Sequence, residues 1–260
     1  MMNQKRKPIT TTRSSAAAGQ VPASDNKVFV LVHGGFHGGW CWREVVNLLR
    51  ARGHTVYTPT QTGCGERSHL LSASITLDTF IDDISNVLTW EDLHNVVLVG
   101  HSFGGSSISG VADRMPERIS QLIYLDAVIL KSGQTMFSLL SPEVVVTRTE
   151  ASKARGGIGI EPPPPITFGI RDEAQAALVK ARLTSHPFGT YTSPLNLVHD
   201  IGNGLPAVYV QCTDPVFAGL QTTREWVRAS GMKTVDIKTG HDAMITAPVL
   251  LAELLALLGA

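Results

Sequence analysis

Short unbroken apolar runs alternate along this chain with stretches whose apolar residues recur at helical spacing. Val28–Val32 is one such run, rich in β-branched residues. It predicts a strand buried on both faces, as in parallel sheets. The run ends in the glycine turn His33-Gly34-Gly35. Trp42, Val45, Val46 and Leu49 then share one face of a predicted helix over 40–50, which Gly53 stops. A strand over 54–59, the glycine-rich loop 62–68 and a helix over 79–88 come next. A second buried strand over 95–99 runs into Gly100-His-Ser-Phe-Gly-Gly105 and a helix reaching about Met115. Ile119–Leu125 is a further strand, ending at Asp126.

The alternation stops over 128–198, which holds Gly156-Gly157, the proline run 162–165 and a predicted helix over 173–182. It resumes with a strand over 207–211, a helix over 220–230, a strand over 234–237 and a helix over 249–258. No internal repeat is visible. Strands alternating with helices predict an α/β fold, a mostly parallel sheet with helices on both faces. Residues 27–127 and 199–260 form its core, and 128–198 is an inserted lid over the strand ends. Ligands of open α/β sheets bind at the carboxyl ends of strands, where the suggestive motifs fall.

Composition narrows the partners. The 260 residues suit a single α/β domain, and 43% hydrophobic against 17% charged residues excludes a disordered chain. Lys plus Arg and Asp plus Glu both number 22, so no net field draws a polyanion, and nucleic acid is not an expected partner. Cys41, Cys64 and Cys212 have neither metal-ligand nor redox spacing, and three is an odd count for a disulfide framework. No apolar stretch is long enough to cross a bilayer. Residues 1–26 are polar and read as a disordered tail, with Lys5-Arg6-Lys7 imitating the start of an export signal. The expectation is a soluble cytoplasmic protein with no membrane partner, acting on a small molecule; a homodimer is left open.

Gly100-His101-Ser102-Phe103-Gly104 matches G-x-S-x-G, a sharp strand-to-helix turn that lifts a serine hydroxyl out of a sheet. A serine needs a base to take its proton. In the order serine, acid, histidine, that base is His241, in Thr239-Gly-His-Asp242 after the last strand. Two carboxylates compete to hold the imidazole: Asp214, which follows the strand over 207–211 and is preferred, and Asp126 as the alternative. Asp242, next to the base, is expected to point elsewhere. The oxyanion donors are expected to be the Phe103 N–H and the Gly35 N–H, with Phe36 as the alternative to Gly35. Phe36, His101, Met136, Phe137 and Phe168 are candidate substrate contacts, suited to a mainly apolar group.

The segments Leu31-Val-His-Gly-Gly-Phe-His-Gly-Gly-Trp-Cys-Trp42, Gly100-His-Ser-Phe-Gly-Gly105 and Gly240-His241 resemble the α/β-hydrolases related to plant methylesterases and hydroxynitrile lyases. The likeness runs from about Lys27 onward and is weakest in the lid. It implies the α/β-hydrolase fold, a Ser-His-Asp triad, an oxyanion hole from Gly35 and Phe103, no cofactor and no metal. The lyases carry Thr where this chain has Gly34, and Lys where it has Asp242. The family's acid usually stands at C-T-x-D, where this chain has Pro215. The expected activity is hydrolysis of a carboxylic ester, a lactone or xenobiotic ester included, through an acyl-enzyme. The alternatives are a lyase or amidase on the same triad, and a small-ligand receptor without catalysis.

Overall fold

A computed structural model describes residues 26–259. Apart from Asn26, the expected N-terminal tail lies outside the described residues. In chain order the core begins with β1 (Val28–Val32), α1 (Arg43–Ala51), β2 (Thr55–Tyr57), α2 (Leu77–Trp90), β3 (Val96–His101), α3 (Gly104–Arg114) and β4 (Ile119–Leu125). An insertion follows, with α4 (Pro142–Lys153), β5 (Gly159–Ile160), α5 (Glu173–Lys180), β6 (His186–Pro187) and α6 (Gly189–Thr192). The core resumes with β7 (Ala207–Cys212), α7 (Gln221–Ser230), β8 (Lys233–Ile237), α8 (Ala243–Thr246) and α9 (Pro248–Leu258).

Six strands form one parallel sheet in the order β2-β1-β3-β4-β7-β8. Successive side chains of a strand point to opposite faces, so each unbroken apolar run feeds two cores. Val30, Val32, Leu98, Leu122 and Tyr124 pack with Phe80, Ile81 and Ile84 of α2 and Ile108 of α3. Phe29, Leu31, Val97, Val99, Ile123 and Leu125 pack on the other face with Val45 and Leu49 of α1 and Leu251 and Leu255 of α9. This two-sided burial is why the strands read as continuous runs rather than as alternations.

The insertion shares the first of these cores, through Met136, Ile160, Phe168, Ile170, Val179, Tyr191 and Leu195. Its small sheet pairs β5 and β6 antiparallel. Helix α4 has no counterpart in the apolar pattern. Val144 and Val146 are exposed, so the helix carries no apolar stripe for periodicity to detect. Its start is nevertheless written locally: Ser141 caps it by accepting from the Val144 N–H at 3.5 Å, and Pro142 opens the first turn. No helix among the described residues is long and apolar enough to cross a membrane.

Candidate active site

Strand β3 delivers Ser102 to the carboxyl edge of the sheet in left-handed backbone geometry, φ 49°. The turn holds because both flanking glycines are sterically required. A side chain on Gly100 would begin 2.7 Å from the Gly104 carbonyl oxygen, and one on Gly104 would begin 2.7 Å from that of His33. The strained serine is tied into its neighbours: its N–H donates to Leu125 O at 3.2 Å, and its carbonyl accepts from Val128 N–H at 2.8 Å.

His241 sits on the loop between β8 and α8, 1% exposed. Its Nε2 lies 2.9 Å from Ser102 Oγ and its Nδ1 2.7 Å from Asp126 Oδ2. An ionised carboxylate only accepts, so Nδ1–H donates to Asp126 and Nε2 is left to accept from the serine hydroxyl. Phe217 stacks on the imidazole at a centroid distance of 4.1 Å, and His101 packs against it at 4.7 Å.

The acid position corrects the sequence-based preference. Asp126 directly follows β4, the strand next to β3, and is fully buried. Its Oδ1 accepts from Arg224 Nη2 at 2.8 Å and from the Cys212 N–H at 3.3 Å. Burial alone would raise its pKa, but the hydrogen bond and charge of His241 and the Arg224 guanidinium outweigh it. The carboxyl is held below the ordinary range. Asp214 is turned outward instead. Its N–H is spent on Thr239 O at 3.0 Å, and its carboxylate, 47% exposed, faces Arg171 at 3.8 Å. It has no contact with the imidazole.

A second buried pair lies beneath the glycine turn. His37 Nε2 is 3.0 Å from Asp242 Oδ2, and His37 Nδ1 is 2.8 Å from Gly35 O. Burial opposes a charge on His37, but the field and hydrogen bond of Asp242 raise its pKa overall. Both facing oxygens, a carbonyl and a carboxylate, are acceptors, so both ring nitrogens donate. Asp242 is thus committed to the turn and not to the reaction centre. His101, His241 and Asp242 bring potential metal-ligand atoms within 4.8 Å of one another. Both nitrogens of His241 are already engaged by Ser102 and Asp126, so the trio offers no complete ligand set.

Of the expected oxyanion donors, Phe103 N–H stands ahead of the first turn of α3, where it has no intrahelical acceptor. Phe36 is corrected as a donor, because its N–H is spent on His186 Nδ1 at 3.2 Å. Phe36, at φ 70°, is clamped on its other side too, its carbonyl accepting from Thr184 N–H at 3.0 Å. Residues 184–186 of the insertion thereby fix this loop on both sides of Phe36, and Gly35 stays the candidate for the second donor.

A cavity of about 120 Å³ opens over Ser102, lined by Gly35, Phe36, Phe103, Met136, Phe168, Phe217 and Arg148 among others. Of the candidate substrate contacts, Phe36, Met136 and Phe168 line this cavity. Two candidates do not. Phe137 packs behind the wall, against Phe188 and Tyr191 at 5.6 and 5.4 Å. His101 lies buried beneath the imidazole, its Nε2–H donating to His241 O at 3.0 Å. Burial lowers the His101 pKa to about 3, which keeps the ring neutral.

Sequence reasoning missed Arg148, His186, Tyr191, Phe217 and Arg224. Only Arg224 carried a readable signal, a charge between Thr223 and Val227 on the buried face of a helix.

A family model described as the alpha/beta hydrolase family matches residues 29–254. The chain is 37% identical over 244 residues to a carbendazim-hydrolyzing esterase of Nocardioides sp. (strain SG-4G), covering 89% of this chain and 99% of the relative. It is 38% identical over 119 residues to putative methylesterase 14, chloroplastic, of Arabidopsis thaliana, across 45% of this chain and 34% of that one. Among solved structures, an extracellular alpha/beta-hydrolase from a Paenibacillus species, described as sharing homology with tobacco salicylic acid binding protein 2, superposes with a TM-score of 0.77. That match has 26% identity and covers 88% of this chain and 97% of the other.

Proposed function

The chain belongs to the alpha/beta hydrolase family, and from that premise we propose that it hydrolyses a small, mainly apolar carboxylic ester through a serine acyl-enzyme. The observation that carries the reading is the unbroken relay from Asp126 through His241 to Ser102, 2.7 and 2.9 Å, with Ser102 in the lining of a small cavity. Ser102 Oγ attacks the ester carbonyl while His241 Nε2 takes its proton. The negative charge that develops on the carbonyl oxygen meets the Gly35 and Phe103 N–H groups. Collapse expels the alcohol, protonated by His241, and leaves Ser102 acylated. Water, activated by the same imidazole, then releases the acid and restores the serine.

Asp126, ionised and buried, keeps Nδ1 protonated and stabilises the imidazolium without taking the proton itself. The cavity is close in size to the ~150 Å³ void that admits a benzene ring, so the enclosed part of the substrate is small. A relative that carries carbendazim in its name supports counting xenobiotic esters within range. The lyase reading loses support from Asp242, whose buried carboxylate bonded to His37 occupies the position where lyases have a lysine.

The test is hydrolysis of p-nitrophenyl esters of increasing chain length, with fluorophosphonate labelling, in wild type and Ser102→Ala. Wild-type turnover and labelling that the alanine lowers by about 10⁴-fold or more is the expected result. Labelling of Ser102 with no ester turnover would move the reading to a lyase or amidase. Ligand binding with neither would make the protein a receptor on a hydrolase scaffold.

A further inference from the structure

Arg148, on helix α4, reaches into the same cavity as Ser102. Its guanidinium carbon lies 5.5 Å above the ring of Tyr191, which is 3% exposed. The Tyr191 hydroxyl in turn stands next to the reaction centre, 3.6 Å from where a side chain on Gly35 would begin. Burial pushes the Tyr191 pKa up, so its hydroxyl stays protonated and able to donate. Elsewhere the cavity wall is largely apolar, through Met136, Leu140, Phe168, Phe217 and Leu220.

Among the described residues some arginines face carboxylates, while Arg50, Arg182 and Arg228 bond backbone carbonyls. Arg155 lies 2.9 Å from Glu161 and Arg224 lies 2.8 Å from Asp126. Among the described residues no carboxylate pairs with Arg148. A guanidinium keeps its charge and presents a planar fork matched to a carboxylate. An apolar wall weakens solvent screening, so an uncompensated cation at the edge of such a cavity favours a negative group inside it.

We propose that Arg148 and Tyr191 form a subsite for a carboxylate on the substrate, making the preferred substrates half-esters of short dicarboxylic acids. The ester carbonyl lies over Ser102, the intervening methylenes run along the apolar wall, and the free carboxylate meets the guanidinium. The proposal rests on the ester-hydrolase reading above. It adds a charge preference that the apolar wall alone would not give.

The test pairs the monomethyl esters of succinic, glutaric and adipic acid with their neutral isosteres, methyl 4-methylpentanoate, 5-methylhexanoate and 6-methylheptanoate. Methanol release is followed in wild type, Arg148→Met and Arg148→Lys. In wild type the best half-ester should exceed its isostere in kcat/KM by about 10- to 100-fold, the range of one charge-assisted hydrogen bond. Arg148→Met should lower kcat/KM for the half-esters by about 10- to 100-fold more than for their neutral isosteres, while Arg148→Lys should keep part of the preference. The preference should also weaken as salt is raised. No half-ester preference in wild type, or equal losses on both series in Arg148→Met, overturns the subsite.

Binding of monomethyl glutarate to Ser102→Ala, with and without Arg148→Met, is measured by calorimetry as a readout that needs no turnover. Loss of affinity with the Arg148 change supports the subsite even if every ester resists hydrolysis, in which case only the hydrolase reading falls. Equal affinity overturns the subsite alone.

Discussion

Replacing Asp126 by Asn should cost this protein far more activity than the isosteric swap suggests, because its neighbours dictate how the amide will turn. Arg224 Nη2 and the Cys212 N–H, at 2.8 and 3.3 Å, are both donors and both point at Oδ1. The amide oxygen of the variant must face them, which turns its NH₂ group toward His241 Nδ1. A donor there forces Nδ1 to accept, so the imidazole carries its proton on Nε2, facing Ser102. In that tautomer the ring cannot take the serine proton. Triads forced into this tautomer lose about 10⁴-fold in kcat, which at about 1.36 kcal/mol per factor of ten is roughly 5 kcal/mol of barrier. Asp214→Asn removes only an exposed carboxylate 3.8 Å from Arg171. Surface pairs of that kind are worth about 0–1 kcal/mol, so turnover should stay within a few-fold. Steady-state hydrolysis of p-nitrophenyl acetate by the two variants decides the matter, with circular dichroism to confirm that both are folded. A folded Asp126→Asn protein losing less than about tenfold, or an Asp214→Asn protein losing as much as Asp126→Asn, would refute the assignment.

Two further outcomes follow from groups around the relay. His186→Leu removes the acceptor of the Phe36 N–H and should lower kcat about 10- to 100-fold with KM nearly unchanged, below the cost of losing an oxyanion donor outright. His186→Asn, whose Oδ1 can stand in for Nδ1, should recover much of that loss, and equal damage in both variants would reduce His186 to a packing residue. Burial lowers the pKa of His33 to about 4, that of His101 to about 3 and that of His186 well below the usual value. Unfolding lets all three rings bind protons near the ordinary histidine value of about 6.5. Stability from these groups is complete above that value and is lost as pH falls toward 4. His37, whose pKa is raised, is protonated in both states below about pH 6.5 and so leaves the difference there unchanged. A net uptake of three protons on unfolding gives on the order of 4 kcal/mol per pH unit. The thermal midpoint, measured from pH 7.5 down to pH 4.5, should therefore fall steeply below about pH 6.5, and a flat profile would contradict the neutral burial of these rings.

Continuous apolar runs made the strands of this fold legible, and the glycines around Ser102 together with the serine-to-histidine order located two members of the site. The acid was not legible because Asp126 and Asp214 carry the same local signal, a carboxylate just past a parallel strand. Their difference is made by a residue distant in the chain. Arg224 is 3% exposed, and one guanidinium binds both the Asp126 carboxylate and the Phe217 carbonyl, at 2.8 and 2.7 Å. Phe217 is the ring stacked on His241. The counter-charge of the acid and the wall that holds the base are therefore one structure, hung from the buried face of α7. A carboxylate at the end of β7 would find neither: Asp214 there meets solvent and Arg171. A buried arginine cannot shed its charge, so it needs a carboxylate within reach. Arg224 on the inner face of its helix thus already implied a buried acid partner, and Asp126 is where the sheet order supplies one beside the nucleophile. Helix α4 shows the opposite limit. Its outward valines hide it from any periodicity, and Arg148, the residue it sends into the cavity around Ser102, shows its significance only when that cavity is complete.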